Sequence, residues 1–174
     1  AQANAGRYQA LIDDLVALPG ISKVGGVNRL PLTGGANGAF WDHTFTDFDG
    51  PPPASLGYAE YRVASADYFD AAGIPLLRGR AFASSDRAEG EHVALISHQL
   101  ARQVWGEVDP IGQRIQYGNM DGDVRLLTIV GIVGDVHQNG LDREPQGTVY
   151  VNLAQRPLAA SQLNLVVRTD LPRS

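Results

Sequence analysis

The chain has 174 residues, 44% of them hydrophobic, which is enough to build a core for one domain or two small lobes. Fourteen basic side chains stand against nineteen acidic ones, for a net charge of −5, so the cationic surplus that neutralises a phosphate backbone is missing and nucleic acid is not expected as a partner. Cysteine is absent, which excludes disulfides, thiolate metal sites and thiol nucleophiles.

Tyr8, Leu11, Ile12, Leu15, Val16 and Leu18 recur at the spacing of an amphipathic helix, and Pro19-Gly20 ends it. Ile21 to Leu32 reads as extended chain, and Thr33 to Gly38 as a Gly/Asn loop. Phe40 to Phe48 and Leu56 to Val63 read as two strands of a hairpin around Asp49-Gly50-Pro51-Pro52-Pro53. Ser65 is placed to cap a short helix through Ala72, with Gly73 as the left-handed residue after it. Beyond an extended stretch at Ile74 to Phe82, the polar run Ala83 to His92 is expected as a surface loop. Val93 to Ile96 follows as a strand, and Ser97 caps a helix that places Leu100, Ala101, Val104 and Trp105 on one face before Gly106. Arg114 to Tyr117, Leu126 to Val136, Thr148 to Leu153 and Leu163 to Thr169 complete the strands, with turns at Asp109-Pro110-Ile111-Gly112 and Asn119 to Asp123. Strands and helices interleave without strict alternation, so the fold class is α+β. The longest uncharged stretches are about half of the roughly 20 apolar residues a spanning helix needs. A membrane connection is therefore expected outside the ends of this chain.

Few motifs point to chemistry. Gly131-Ile132-Val133-Gly134 follows a strand but lacks the spacing and the helix of a dinucleotide site, and the glycines at 34, 35 and 38 lack the Lys-Ser/Thr of a phosphate loop. His43, His92, His98 and His137 fall in four separate segments, with no pair at zinc-site spacing. Asp135 and His137 share one face of a strand, which permits a carboxylate–imidazole pair of hydrolase type, against the commoner reading of an exposed ion pair. Phe40, Trp41, Phe45 and Phe48 cluster beside a Gly-rich loop and a proline turn. Core burial is the ordinary reading of such residues, and a partner-contact loop the functional one.

The run from Tyr61 to Phe82 closely resembles the V-S-x-x-Y-F-x-x-x-G-I-P-L-L-x-G-R-x-F signature of MacB-like periplasmic core domains, the outer domains of FtsX-like ABC-transporter permeases. Val93-Ala94-Leu95-Ile96-Ser97, Asp109-Pro110-Ile111-Gly112 and Thr128 to Val136 resemble further family segments in the same order. The resemblance implies a non-catalytic domain at the periplasmic face of the bacterial inner membrane, inserted between two transmembrane helices of the same permease. It implies a porter-like lobe from residues 1–80 and 143–174 with a smaller β-rich lobe inserted at 81–142. It also implies no cofactor in this domain, because ATP is bound by a separate cytoplasmic subunit or domain. Implied partners are that ATPase at a distance, a second permease copy and a periplasmic adaptor protein. Relatives carry a strand ahead of the opening helix, so an open sheet edge is expected here. Two other readings stand beside this one: a periplasmic small-ligand-binding or sensor domain, which predicts a concave apolar pocket, and a hydrolase using Asp135 and His137.

Overall fold

Runs rich in Val, Ile and Leu form nine strands among the described residues, hydrogen-bonded into one mixed sheet. The structure is a computed structural model and describes residues 2–33, 44–45, 59–116, 123, 125–138, 140–157 and 162–170. In chain order the elements are α1 (Gln2–Val16), β1 (Ile21–Val27), β2 (Thr44–Phe45), β3 (Glu60–Ala64), α2 (Tyr68–Ala72), β4 (Leu76–Gly79), β5 (Val93–Ser97), α3 (His98–Trp105), β6 (Arg114–Gln116), β7 (Leu127–Val133), β8 (Thr148–Asn152) and β9 (Asn164–Thr169). The strand order is β2-β6-β7-β5-β8-β3-β1-β9, with β4 also paired to β7. The β3–β8 and β5–β7 pairs are parallel and the rest antiparallel, as an α+β fold allows.

Every residue of β5, β8 and β3 is buried. Strands covered on both faces lose the apolar–polar alternation that half-exposed strands show, and these three therefore need a layer on each side. On one side Leu100, Ala101 and Trp105 of α3 join Val63, Ala94, Ile96, Val149 and Val151, with Tyr8 of α1 against the same cluster. On the other, Tyr68 and Phe69 of α2 join Phe82, Leu95 and Tyr150, with Phe69 edge-on to Tyr150 at a centroid distance of 5.0 Å. Each fully buried aliphatic or aromatic side chain in these layers contributes roughly 1.5–3 kcal/mol.

The opening helix forms as its spacing predicts, but its apolar face is only partly used. Ile12 is buried, while Leu11, Val16 and Leu18 are exposed, because α1 packs along β1 and reaches the core of the broad sheet only through Tyr8. That ribbon projects past the end of β3. Six of the seven residues of β1 pair with β9, from Ile21↔Thr169 to Val27↔Asn164 with a register shift at Ser22, whereas β1 meets β3 at Val27↔Ala64.

Two sequence expectations are corrected. Among the described residues the two strands of the expected hairpin, Phe40–Phe48 and Leu56–Val63, are not paired with each other: β2 pairs with β6, while β3 takes β8 along its length and β1 at Val27↔Ala64, and the turn expected between them lies outside the described residues. Ser65 is not the side-chain cap of α2. The helix starts at Tyr68 behind Asp67, whose side chain makes no cap bond, and Ser65 turns its Oγ to accept from the Gly26 N–H at 2.9 Å while its own N–H donates to Gly26 O. Where β1 runs past the end of β3, the buried Gly26 amide needs a partner, and Ser65 supplies it. The stop at Gly73 is as expected, with φ 73°.

Gly25 lets α2 lie directly on β1, since a Cβ there would stand 2.3 Å from the Tyr68 Cα. Gly25→Ala is therefore expected to destabilise the chain by about 3 kcal/mol or more. Gly6→Ala, in the exposed part of α1 with nothing within 4 Å of the added carbon, is expected to stabilise it by about 0.5–1 kcal/mol. Urea unfolding followed by circular dichroism measures both, and equal effects from the two substitutions would contradict this account of Gly25.

Candidate functional site

The residues singled out for chemistry are not brought together. Asp135 Oδ1 accepts from the Gln99 N–H at 2.7 Å, capping the first turn of α3, and its Oδ2 lies 3.6 Å from His98 Nδ1. His137 Nδ1 is 2.9 Å from the Arg143 carbonyl. The two side chains that strand spacing would have paired thus serve separate anchoring roles, and the hydrolase reading loses its dyad. Ser97 caps α3 as expected, accepting from the Leu100 N–H at 3.3 Å, and also accepts from the Thr148 N–H at 2.9 Å. Phe40, Trp41 and Phe48 lie outside the described residues, and Phe45 belongs to β2. Among the described residues no group of three or more His, Cys, Asp or Glu could hold a metal, and no helix is long and apolar enough to cross a membrane.

A cavity of about 1010 Å³ opens where the parallel strands β3 and β8 end. Its floor is Ser65, Asn152 and Leu153, one wall is α1 at Gly6 and Gln9, and the other is the loop from Phe82 to Glu89. Crevices at the carboxyl ends of parallel strands are a recurrent place for ligands. The loop expected on the surface from Ala83 to His92 is mostly exposed, but Asp86 and His92 within it are buried, and five side chains hold it. Arg80 donates twice to Asp86 at 2.9 Å, and the Ala83 N–H donates to the same carboxylate at 2.8 Å. Burial of Asp86 works to raise its pKa, yet these donors hold it below the ordinary carboxylate value. Gln155 Nε2 donates to the Arg87 and Glu91 carbonyls while its Oε1 accepts from the Val93 N–H at 3.0 Å. His92 Nε2 lies 3.1 Å from Ala88 O, and Arg125 donates to that same carbonyl.

Behind the wall, Arg156 is buried and its guanidinium reaches three acceptors. Nε donates to His92 Nδ1 at 3.3 Å, Nη1 to Asp123 O at 2.9 Å and Nη2 to Arg125 O at 2.7 Å. A ring nitrogen that accepts from Arg156 carries no proton, so His92 is neutral with its proton on Nε2, facing Ala88. Burial lowers the pKa of His92, and the Arg125 and Arg156 charges lower it further, against the Ala88 carbonyl and Asp123. Hydrogen bonds from Arg125 hold Asp123 well below the usual carboxylate range. From the sequence His92 is weighed only as a metal ligand and Gln155-Arg156 only as part of the family resemblance, and neither reading gives the buried hydrogen-bonding role. Gln155-Arg156 follows the strand Thr148–Asn152 by two residues, and spacing alone does not distinguish it from a surface turn.

The sequence profile of the MacB-like periplasmic core domain matches residues 2–172, almost the whole chain. The chain belongs to the MacB-like periplasmic core domain family. Among solved structures it is similar to the periplasmic region of MacB from Actinobacillus actinomycetemcomitans, with 14% identity and a TM-score of 0.64 over 95% of this chain and 66% of that one. It is also similar to the extracellular domain of the noncanonical ABC-type transporter YknZ from Gram-positive bacteria, with 17% identity and a TM-score of 0.57 over 92% of this chain and 71% of that one. At these identities the likeness is one of fold, and the chain spans just under two thirds of the MacB periplasmic region. No curated protein matches it in sequence.

Four residues of the MacB-like signature have clear packing roles. Its Ser65 ties β1 to the end of β3, its Tyr68 and Phe69 fill the aromatic layer, and its Gly79, at φ 74°, passes so close to β7 that a Cβ would stand 2.3 Å from Val130 O. Gly131 is the matching small residue on β7, against Arg80 O. These are packing constraints of the family fold.

The His92 network gives a pH prediction. A histidine whose folded pKa lies below its unfolded value of about 6.5 contributes stability that is complete above that pH and is lost as pH falls through the folded value. Thermal stability should therefore decline on acidification from pH 7 to 5, and His92→Gln should flatten that part of the profile. An unchanged slope in the variant would show that other groups govern it.

Proposed function

We propose that this chain is the outer part of an ABC-transporter permease, a non-catalytic module that couples ATP-driven movement of membrane helices to a change of position in the periplasm. Family membership supports the permease setting, and the β1–β9 ribbon supports coupling. Six of the seven residues of β1 are stiffened by pairing with β9, with α2 pressed on one face. The ribbon joins the central sheet through a short set of bonds: the Val27↔Ala64 pairing, Asn28 N–H to Val63 O, and the reciprocal Ser65–Gly26 contacts. A displacement of β9 reaches the buried strands through that joint.

In this reading the nucleotide is bound by a separate cytoplasmic subunit and none is bound here. Segment 81–142, which supplies β5, β6 and β7, is the inserted lobe. The loop bearing Phe40, Trp41, Phe45 and Phe48 is the surface offered to a second permease copy or a periplasmic adaptor.

This chain has no cysteine, so once any cysteines elsewhere in the permease and its ATPase are replaced, a single introduced cysteine here can be labelled selectively. In the full-length permease with its ATPase, a spin label at Gln103→Cys, exposed on α3, is expected to show a distance between two copies that differs between nucleotide-free and ATP-trapped states. Identical distance distributions in the two states would remove the coupling role.

A further inference from the structure

The cavity at the ends of β3 and β8 has features that coupling does not require. Its outer wall is fixed in advance: Asp86, Gln155 and His92, all buried, together hold the backbone at Ala83, Arg87, Ala88 and Glu91. Preorganisation of this kind lowers the ordering cost of binding. The floor holds a donor without a partner. Asn152 is 97% buried, its Oδ1 accepts from the Ala154 N–H at 2.9 Å, and its Nδ2 has no hydrogen-bond partner among the described residues. Nδ2 is not among the fully buried unpartnered atoms, which are Arg62 Nε and Tyr150 Oη among the described residues, so it keeps contact with solvent at the cavity, where a ligand acceptor can take the place of water.

The charges around the opening differ in how far they are already committed. Asp86 is engaged by Arg80, and Glu89 has an interaction elsewhere within the chain. Asp67 and Arg87 are exposed and their charged groups have no partner among the described residues, which leaves one free anion and one free cation on the lining. Phe82 and Leu153 add apolar atoms to the lining. The volume is at the upper end for small-molecule sites and exceeds what a single amino acid fills.

We propose that this cavity binds a small zwitterion of the short-peptide class, with Asn152 Nδ2 donating to a ligand carbonyl, Asp67 meeting the ammonium and Arg87 the carboxylate. Phe82 and Leu153 take an apolar side chain in the middle of the ligand. The site is independent of the coupling role and is tested on this chain alone, so neither result decides the other.

The probe is the tripeptide Ala-Leu-Ala with free termini, compared with its N-acetylated form, its C-amidated form and free leucine, by thermal shift and isothermal calorimetry. The free tripeptide is expected to raise the melting temperature saturably, and blocking either end to weaken binding about tenfold, the scale of a charge-assisted hydrogen bond. Asp67→Asn is expected to weaken the free peptide to the same degree with no further effect on the acetylated one. Arg87→Gln should do likewise for the amidated one. Both residues are exposed, so these variants are expected to fold, and their own melting curves check that. No saturable shift with the free tripeptide at up to about 10 mM overturns the proposal. Equal affinity for the free and blocked peptides, or free leucine binding as tightly as the tripeptide, overturns it too.

Discussion

Burial of β5, β8 and β3 on both faces is the condition on which the rest of this structure rests. A sheet with one solvated face can leave its loops to themselves. Here the helices must divide between two sides, α1 and α3 on one and α2 on the other, and the chain must cross the sheet margins repeatedly to put them there. The close glycine contacts follow from that crossing. Gly25 accepts α2 on β1, and Gly79 and Gly131 let β4 lie against β7 in spaces where a single methyl group would collide with backbone.

The same condition explains why polar side chains occur inside. Connecting segments that cover a buried sheet bring peptide groups with them, and those groups need partners. Arg62 on β3 is buried beside Glu60 at 2.7 Å, donates to Tyr61 O, and reaches Gln138, whose own carbonyl accepts from the Leu32 N–H. One side chain thereby ties the segment after β7 to the segment after β1. Gln155 and Arg156 do the equivalent at the opposite margin, where they hold the loop before β5 and the entry to β7. Removing one partner of a buried pair is more disruptive than never having had the pair, because the remaining charge is left without compensation.

Local features were legible in the sequence to the extent that they depend on neighbours along the chain. Helix α3 with its Ser97 cap, the αL stop at Gly73 and the strands from Val93 onward follow from spacing and turn chemistry. Partnerships between distant segments were not legible. Nothing near Leu56 to Val63 says that its neighbours are Thr148 to Asn152 and β1 rather than the strand just before it. The same holds for the cavity. Asn152, Gln155 and His92 are ordinary polar residues in the sequence, and their roles exist only once three separate segments meet. The family signature was readable because it records outcomes of that packing in fixed positions.

The pairing of β1 with β9 has a consequence for how the chain comes to be folded. Ser22 and Arg168, joined across these strands, are 146 residues apart. During synthesis β1 therefore waits for β9, with the apolar stretch from Val24 to Val27 lacking its final cover until the whole segment between them has emerged. Pairings of such long range are slow to close, so completion of the ribbon is expected among the latest events in folding, and its unpaired edge is the part most exposed to association with other chains until then.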